Sequence, residues 1–252
     1  MRRLEQVADG VLVATSRVMS TTSTVLAAGG RALLVDPAWM PDELGGLDAE
    51  LRRRELRVVG GFATHAHHDH LLWHPGFGDA PRCASPQTVR LAESDRGALV
   101  EALGGDLPPE LADLMGRVMP SPADVFESPA GPVELIVHDG HAPGHTALWL
   151  PVQRVLIAGD MLSDLEVPLP FDPDDVPAYL AALDLLEPFA ALAAVVIPGH
   201  GAPGPHARAR LDADRRYLDA VLRGRVPDDD RLADPGMRDE YEHLVRVVRG
   251  QR

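Results

Sequence analysis

Apolar and polar positions alternate in short blocks over the first third of the chain. Val11 to Ala14, Thr24 to Ala28 and Ala32 to Val35 are apolar runs bounded by polar or glycine turns, a pattern that predicts strands. Pro41 to Leu56 is rich in Glu, Leu and Arg and predicts a helix. Val58 to Thr64 predicts another strand, and a dense histidine run follows it directly. Pro86 to Leu103 predicts a helix with Ser85 as N-cap and Pro86 at the first helical position. Pro109 to Val118 predicts a second helix, and together these two could cover a site. Strands are expected again at Val133 to Val137, Ala147 to Leu150, Val155 to Ala158 and Ala193 to Ile197. Helices are expected at Val176 to Leu186, from His206 to Leu222 and from Met237 to Val248. This alternation fits an α/β (α+β) protein with its chemistry on the loops after strands.

Composition narrows the function classes. At 252 residues with 45% hydrophobic content, the chain can bury a full core in one domain. Its net charge of −14 argues against a nucleic-acid partner and against docking on anionic lipid. Every basic side chain besides histidine is arginine, so Schiff-base and lysine general-base mechanisms are excluded. The single cysteine, Cys83, rules out an intrachain disulfide. No apolar stretch follows the charged start from Met1 to Gln6, and none elsewhere approaches the roughly 18 residues of a membrane span. A cytoplasmic protein acting on a small molecule is the expectation, and no pattern specifies an oligomeric state.

The chemistry concentrates in the histidines. Four of the eleven fall at 65, 67, 68 and 70, in the run Thr64-His65-Ala66-His67-His68-Asp69-His70. Side chains two apart on an extended strand share a face, so His65 and His67 can converge. If the chain then turns, Asp69 and His70 approach from the opposite side. A catalytic zinc takes about three protein ligands and leaves a position open for water, so two metals need more donors than this run supplies. Three glycine-containing turns at strand ends offer them: His141-Ala142-Pro143-Gly144-His145-Thr146, Gly159-Asp160 and Pro198-Gly199-His200-Gly201.

In this order, these motifs resemble the metallo-β-lactamase-fold hydrolases, from about Val11 to about Gly201. The resemblance implies a four-layer αβ/βα sandwich with metals at one edge between two mixed sheets. The whole chain, 1–252, would be one such domain, with a helical insertion at about 86–120 and a helical C-terminal extension at about 204–250. The resemblance further implies one metal on His65, His67 and His145, a second on Asp69, His70 and His200, and Asp160 bridging them in a ligand set like that of glyoxalase II. Asp36 matches an early aspartate that supports the site. Two divalent ions are expected, zinc first, with iron or manganese also compatible. Water activated between them would attack a thioester, lactone or other carboxylic ester, with Asp69 as the catalytic side chain. The alternatives are phosphodiester or phosphonate hydrolysis and a non-catalytic metal-binding sensor. Family β-lactamases generally lack the bridging aspartate, so Asp160 disfavours that activity.

The other candidates read more plainly. His141 is expected to orient a ligand, and His68 to point away. His138, His206 and His243 have no pattern around them and read as surface. Trp73, Met161 and Phe171 could line a pocket, although core packing serves them equally well. Arg208, Arg210, Arg215 and Arg216 with Asp212 and Asp214 read as an exposed, salt-bridged helix face.

Overall fold

The computed structural model describes residues 4–104, 107–171 and 174–250; Met1 to Arg3, part of the charged start, lie outside it. The first four strands, β1 (Glu5–Ala8), β2 (Val11–Thr15), β3 (Thr22–Ala28) and β4 (Arg31–Val35), form an antiparallel meander. Helix α1 (Pro41–Arg53) then crosses over to β5 (Arg57–Phe62), which pairs parallel to β4. Two short parallel strands, β6 (Arg82–Ala84) and β7 (Met119–Pro120), complete a seven-stranded sheet. The second sheet has five strands. Four are antiparallel, β8 (Val125–Ser128), β9 (Gly131–His138), β10 (His145–Leu150) and β11 (Val155–Gly159). Helix α5 (Val176–Leu192) returns the chain so that β12 (Val195–Pro198) lies parallel to β11.

Side-chain alternation explains the layering. Val11 and Val13 of β2 and Leu33 and Val35 of β4 point inward, against Leu148 and Leu150 of β10 and Val155 and Ile157 of β11. The intervening residues point outward. On the first sheet Leu12, Ala14, Ala32 and Leu34 bury against Leu44, Leu47 and Leu51 of α1, which recur at helical spacing. On the second sheet Trp149, Leu156 and Ala158 bury against α5, α6 (Ala207–Leu222) and α7 (Pro235–Gly250). The result is the expected αβ/βα sandwich.

Several sequence expectations change in detail. Pro86 to Leu103 is two helices, α2 (Pro86–Ser94) and α3 (Arg96–Ala102), interrupted at Asp95. The Ser85 cap is present: its Oγ accepts the Thr88 amide at 3.1 Å and donates to Gly144 O at 2.6 Å. Helix α4 (Pro109–Leu114) is shorter than expected. Helices α2, α3 and α4 lie in the chain between β6 and β7 of the first sheet. On α6, Arg208 and Asp212 do pair on an exposed face, but Asp214 is buried against Arg231 at 2.7 Å. No helix among the described residues is long and apolar enough to cross a membrane.

Candidate metal centre

The chemistry gathers on loops at the C-terminal ends of β4, β5, β11 and β12 and in the β9–β10 turn. Asp36, one residue past β4, holds this edge together from a positive φ of 47°. Its Oδ1 accepts the Thr64 amide at 2.8 Å. Its Oδ2 accepts the Thr64 hydroxyl at 2.6 Å and faces His70 Nδ1 at 3.0 Å. The β5 loop is thereby clamped in a shape that turns the other nitrogen of His70 toward the neighbouring aspartates. Across the gap, Thr22 Oγ1 donates to Pro198 O at 2.6 Å and its amide donates to Gly199 O at 2.7 Å, which fixes the loop of His200.

Two groups of donor atoms result, one from His65, His67, His141 and Asp160 and one from Asp69, His70 and His200. In the first, His67 Nδ1 lies 2.9 Å from His65 Nε2 and 3.1 Å from His141 Nε2. Asp160 Oδ2 lies 3.3 Å from His65 Nε2 and 3.4 Å from His141 Nε2. In the second, Asp69 Oδ2 lies 3.2 Å from His200 Nε2 and 3.3 Å from His70 Nε2. Asp160 also reaches this group, with Oδ1 3.2 Å from His70 Nε2 and Oδ2 3.3 Å from His200 Nε2. Ligands at 2.0–2.1 Å around a tetrahedral ion stand roughly 3.3 Å apart, so the separations within both groups are close to those of donors around a metal ion.

Two further observations fit a cation. Asp69 Oδ2 and Asp160 Oδ1 are buried without a hydrogen-bond partner, which is rare for a carboxylate oxygen unless an ion satisfies it. Charge points the same way. Burial pushes His65, His67 and His141 down to about 3, so their imidazoles are neutral and able to ligate. Around His200 burial is overcome by the carboxylates of Asp160 and Asp69, which push it up to about 11. Positive charge is favoured at this spot, and a divalent ion supplies it while leaving the imidazoles neutral.

The structure brings His141, rather than the expected His145, into the donor group. His145 is the first residue of β10 and sits directly opposite His138 on β9. Its Nδ1 faces His138 Nε2 at 3.2 Å, and its Nε2 accepts the Asp160 amide at 3.1 Å. Both ring nitrogens are thus engaged by protein. His141, in the turn between the two strands, carries its Nε2 to the donors, while its Nδ1 donates to Leu169 O at 2.7 Å. His138 is not on the surface but buried beneath His145. Trp73 and Met161 are core residues. Trp73 packs in the core beside Phe77, its indole donating to Gly78 O, and Met161 packs in the core of the second sheet. Phe171 is the aromatic that reaches the donors, its ring 5.6 Å from His141 and 6.2 Å from His67. His68 turns aside against Trp39. His243 pairs with Asp174 and is half exposed.

Gly199 and His138 offer two checks on these contacts. A Cβ on Gly199 would fall 1.8 Å from Asp160 Oδ1 and 3.0 Å from His70 Cε1. Gly199→Ala therefore displaces the shared carboxylate, and metal analysis of the purified variant should show loss of bound metal with the fold retained by circular dichroism. The second check concerns His138, whose burial pushes it down to about 4. Between pH 4 and 6.5 the unfolded chain binds more protons at this residue than the folded one, so the folded state loses stability as pH falls through that window. In metal-stripped protein, wild type should lose about 2–3 kcal/mol more than His138→Gln between about pH 7 and 4.5, read by urea unfolding. Equal losses would refute a buried neutral His138.

Histidines and aspartates converging on the strand-end loops of an αβ/βα sandwich define a metal-dependent hydrolase. The family model for the metallo-beta-lactamase superfamily matches residues 16–200, and the chain belongs to that superfamily. Among solved structures it is similar to a metallo-beta-lactamase family protein from Thermus thermophilus, with a TM-score of 0.66 and 21% identity over 85% of this chain and 80% of that one. It is also similar to a beta-lactamase domain protein from Burkholderia ambifaria (TM-score 0.64, 21% identity, 87% and 76% covered). A third is a metallo-beta-lactamase from Pontibacter korlensis (TM-score 0.65, 18% identity, 86% and 98% covered). At these identities the likeness is one of fold.

Proposed function

We propose that the chain is a dinuclear hydrolase that cleaves an ester-like bond (thioester, lactone or other carboxylic ester) in a small molecule. The observation that carries this reading is Asp160, whose carboxylate lies 3.2–3.4 Å from imidazole nitrogens of both donor groups. His65, His67 and His141 would hold one ion, Asp69, His70 and His200 the other, and Asp160 both. Zinc suits this set of neutral imidazoles and carboxylates. Such ions, when bound, bring water toward a neutral pKa and polarise a carbonyl oxygen.

The chain's own residues do the rest. Asp69 would hold the ion through Oδ2, the oxygen turned to His70 and His200, and its other oxygen would orient the attacking water and pass its proton toward the leaving atom. Phe171 stands over His67 and His141 as an apolar wall that limits water and shapes the acyl side. Asp36 fixes His70 through its remote nitrogen, which sharpens the imidazole's orientation. A net charge of −14 with no lysine disfavours polyanionic substrates.

The test is turnover by zinc-loaded enzyme on a panel of thioesters, lactones, phosphodiesters and a β-lactam. Highest kcat/KM among the thioesters and lactones is expected. Preference for the phosphodiesters would overturn the substrate class, and inactivity on every class would favour a non-catalytic sensor.

A further inference from the structure

Arg231 lies far along the chain from every donor, yet it is 8% exposed and makes an unusually full set of contacts. Its Nε and Nη2 grip both oxygens of Asp229 at 2.9 and 2.8 Å. Its Nη1 reaches Asp214 Oδ1 at 2.7 Å and two backbone carbonyls, Glu166 O at 2.8 Å and Ser163 O at 3.1 Å. Only a guanidinium has the planar fork to serve these partners together. Burying such an ion pair is an inefficient way to gain stability, since well-packed apolar side chains often do as well. What the arrangement secures is the position of the turn at 163–166.

That turn holds the loop of His200. Ser163 Oγ donates to His200 O at 2.7 Å while accepting the amides of Leu165 and Glu166 at 3.0 and 2.9 Å. The next residue, Asp164, accepts the Ala202 amide at 2.9 Å, and a Cβ on Gly201 would strike its carboxylate. Arg210 of α6 adds a second strap, donating to Leu162 O at 3.2 Å and Ala202 O at 2.9 Å. A continuous path of hydrogen bonds thus runs from the C-terminal extension to the backbone of His200.

We infer that Arg231 is a positioning residue: by fixing the 163–166 turn it sets His200 for the second metal, so that the C-terminal extension completes the metal centre. This rests on the proposal that Asp69, His70 and His200 hold an ion. The experiment titrates metal-stripped full-length protein with Zn2+ by calorimetry. Wild type should take two equivalents. Arg231→Met should bind the first as wild type does and the second about 10–100-fold more weakly, the usual effect of losing a group that orients a ligand. Arg231→Lys keeps the charge beside Asp214 but not the fork, and should recover part of that loss. Leu244→Ala removes core packing in α7 and none of these hydrogen-bonding groups, and should bind both equivalents normally despite a lower Tm. Hydrogen exchange at residues 162–166 should quicken in Arg231→Met and not in Leu244→Ala. If Arg231→Met binds the second equivalent as tightly as wild type, or if Leu244→Ala weakens it equally, the inference fails. Should Arg231→Met not fold, unweakened second-equivalent binding by Arg231→Lys overturns it as well. A wild type that takes a single equivalent would instead bring down the dinuclear reading itself.

Discussion

Asp160→Asn should lower kcat/KM for ester hydrolysis by about a thousandfold and release at least one of two bound metals. The amide is nearly the same shape, so the fold should survive and the loss can be traced to charge. Asp160 is buried between four imidazoles and has an oxygen without a hydrogen-bond partner. Those imidazoles, His70 foremost, hold its carboxyl well below the usual range against the opposing effect of burial. A neutral amide at this point leaves each donor group with less negative charge. It also turns an N–H toward positions where only acceptors are useful. Removing a single preorganised electrostatic contact from an active site already costs about 10²–10³ in rate, and on the proposed reading Asp160 would serve two ions. Metal per chain and kcat/KM measured on the same preparation would check this. Retention of two metals with full turnover would show that Asp160 is not the shared ligand.

His141→Ala and His145→Ala should differ sharply, although the two residues are only four apart in the chain. His141→Ala removes a donor from the first group and should cost about 10²–10³ in kcat together with one metal. His145→Ala removes no donor. It leaves the Asp160 amide and His138 Nε2 without a partner, and should cost about 10–100-fold through disorder of Asp160. The measurement is metal content and kcat for both variants side by side. The reverse order would restore His145 to the metal and make His141 its support.

That pair of histidines shows what the sequence carries and where it falls short. The motif His-Ala-Pro-Gly-His marks the turn, but two histidines are present and motif order alone does not separate them. The separating signal is register. β9 and β10 pair His138 with His145, so the hairpin turns about His141 and Ala142. A histidine at the turn can leave the sheet, whereas one opposite a neighbour on the ladder stays in it. Strands that are continuous apolar runs, such as β2 and β4, are legible because both of their faces are buried. β6 and β7 are very short, and β1 begins with exposed Glu5 and Gln6, so no period marks them. The break at Asp95 does carry a local signal, since Ser94, Asp95 and Gly97 are weak helix formers, but the helix-forming residues on either side mask it. Asp214 looked like one more partner on a charged face, and only tertiary packing reveals that Arg231 meets it from beyond the helix. Asp36 is placed by the resemblance alone, which matches it to an early supporting aspartate; here it accepts from Thr64 and faces His70.

The most direct test of a two-metal hydrolytic centre is turnover of a thioester or lactone by metal-stripped enzyme as Zn2+ is added back in measured equivalents. Activity should keep rising beyond one equivalent and level off at two per chain. Full activity at one equivalent, or none at any loading on either substrate, would contradict the account.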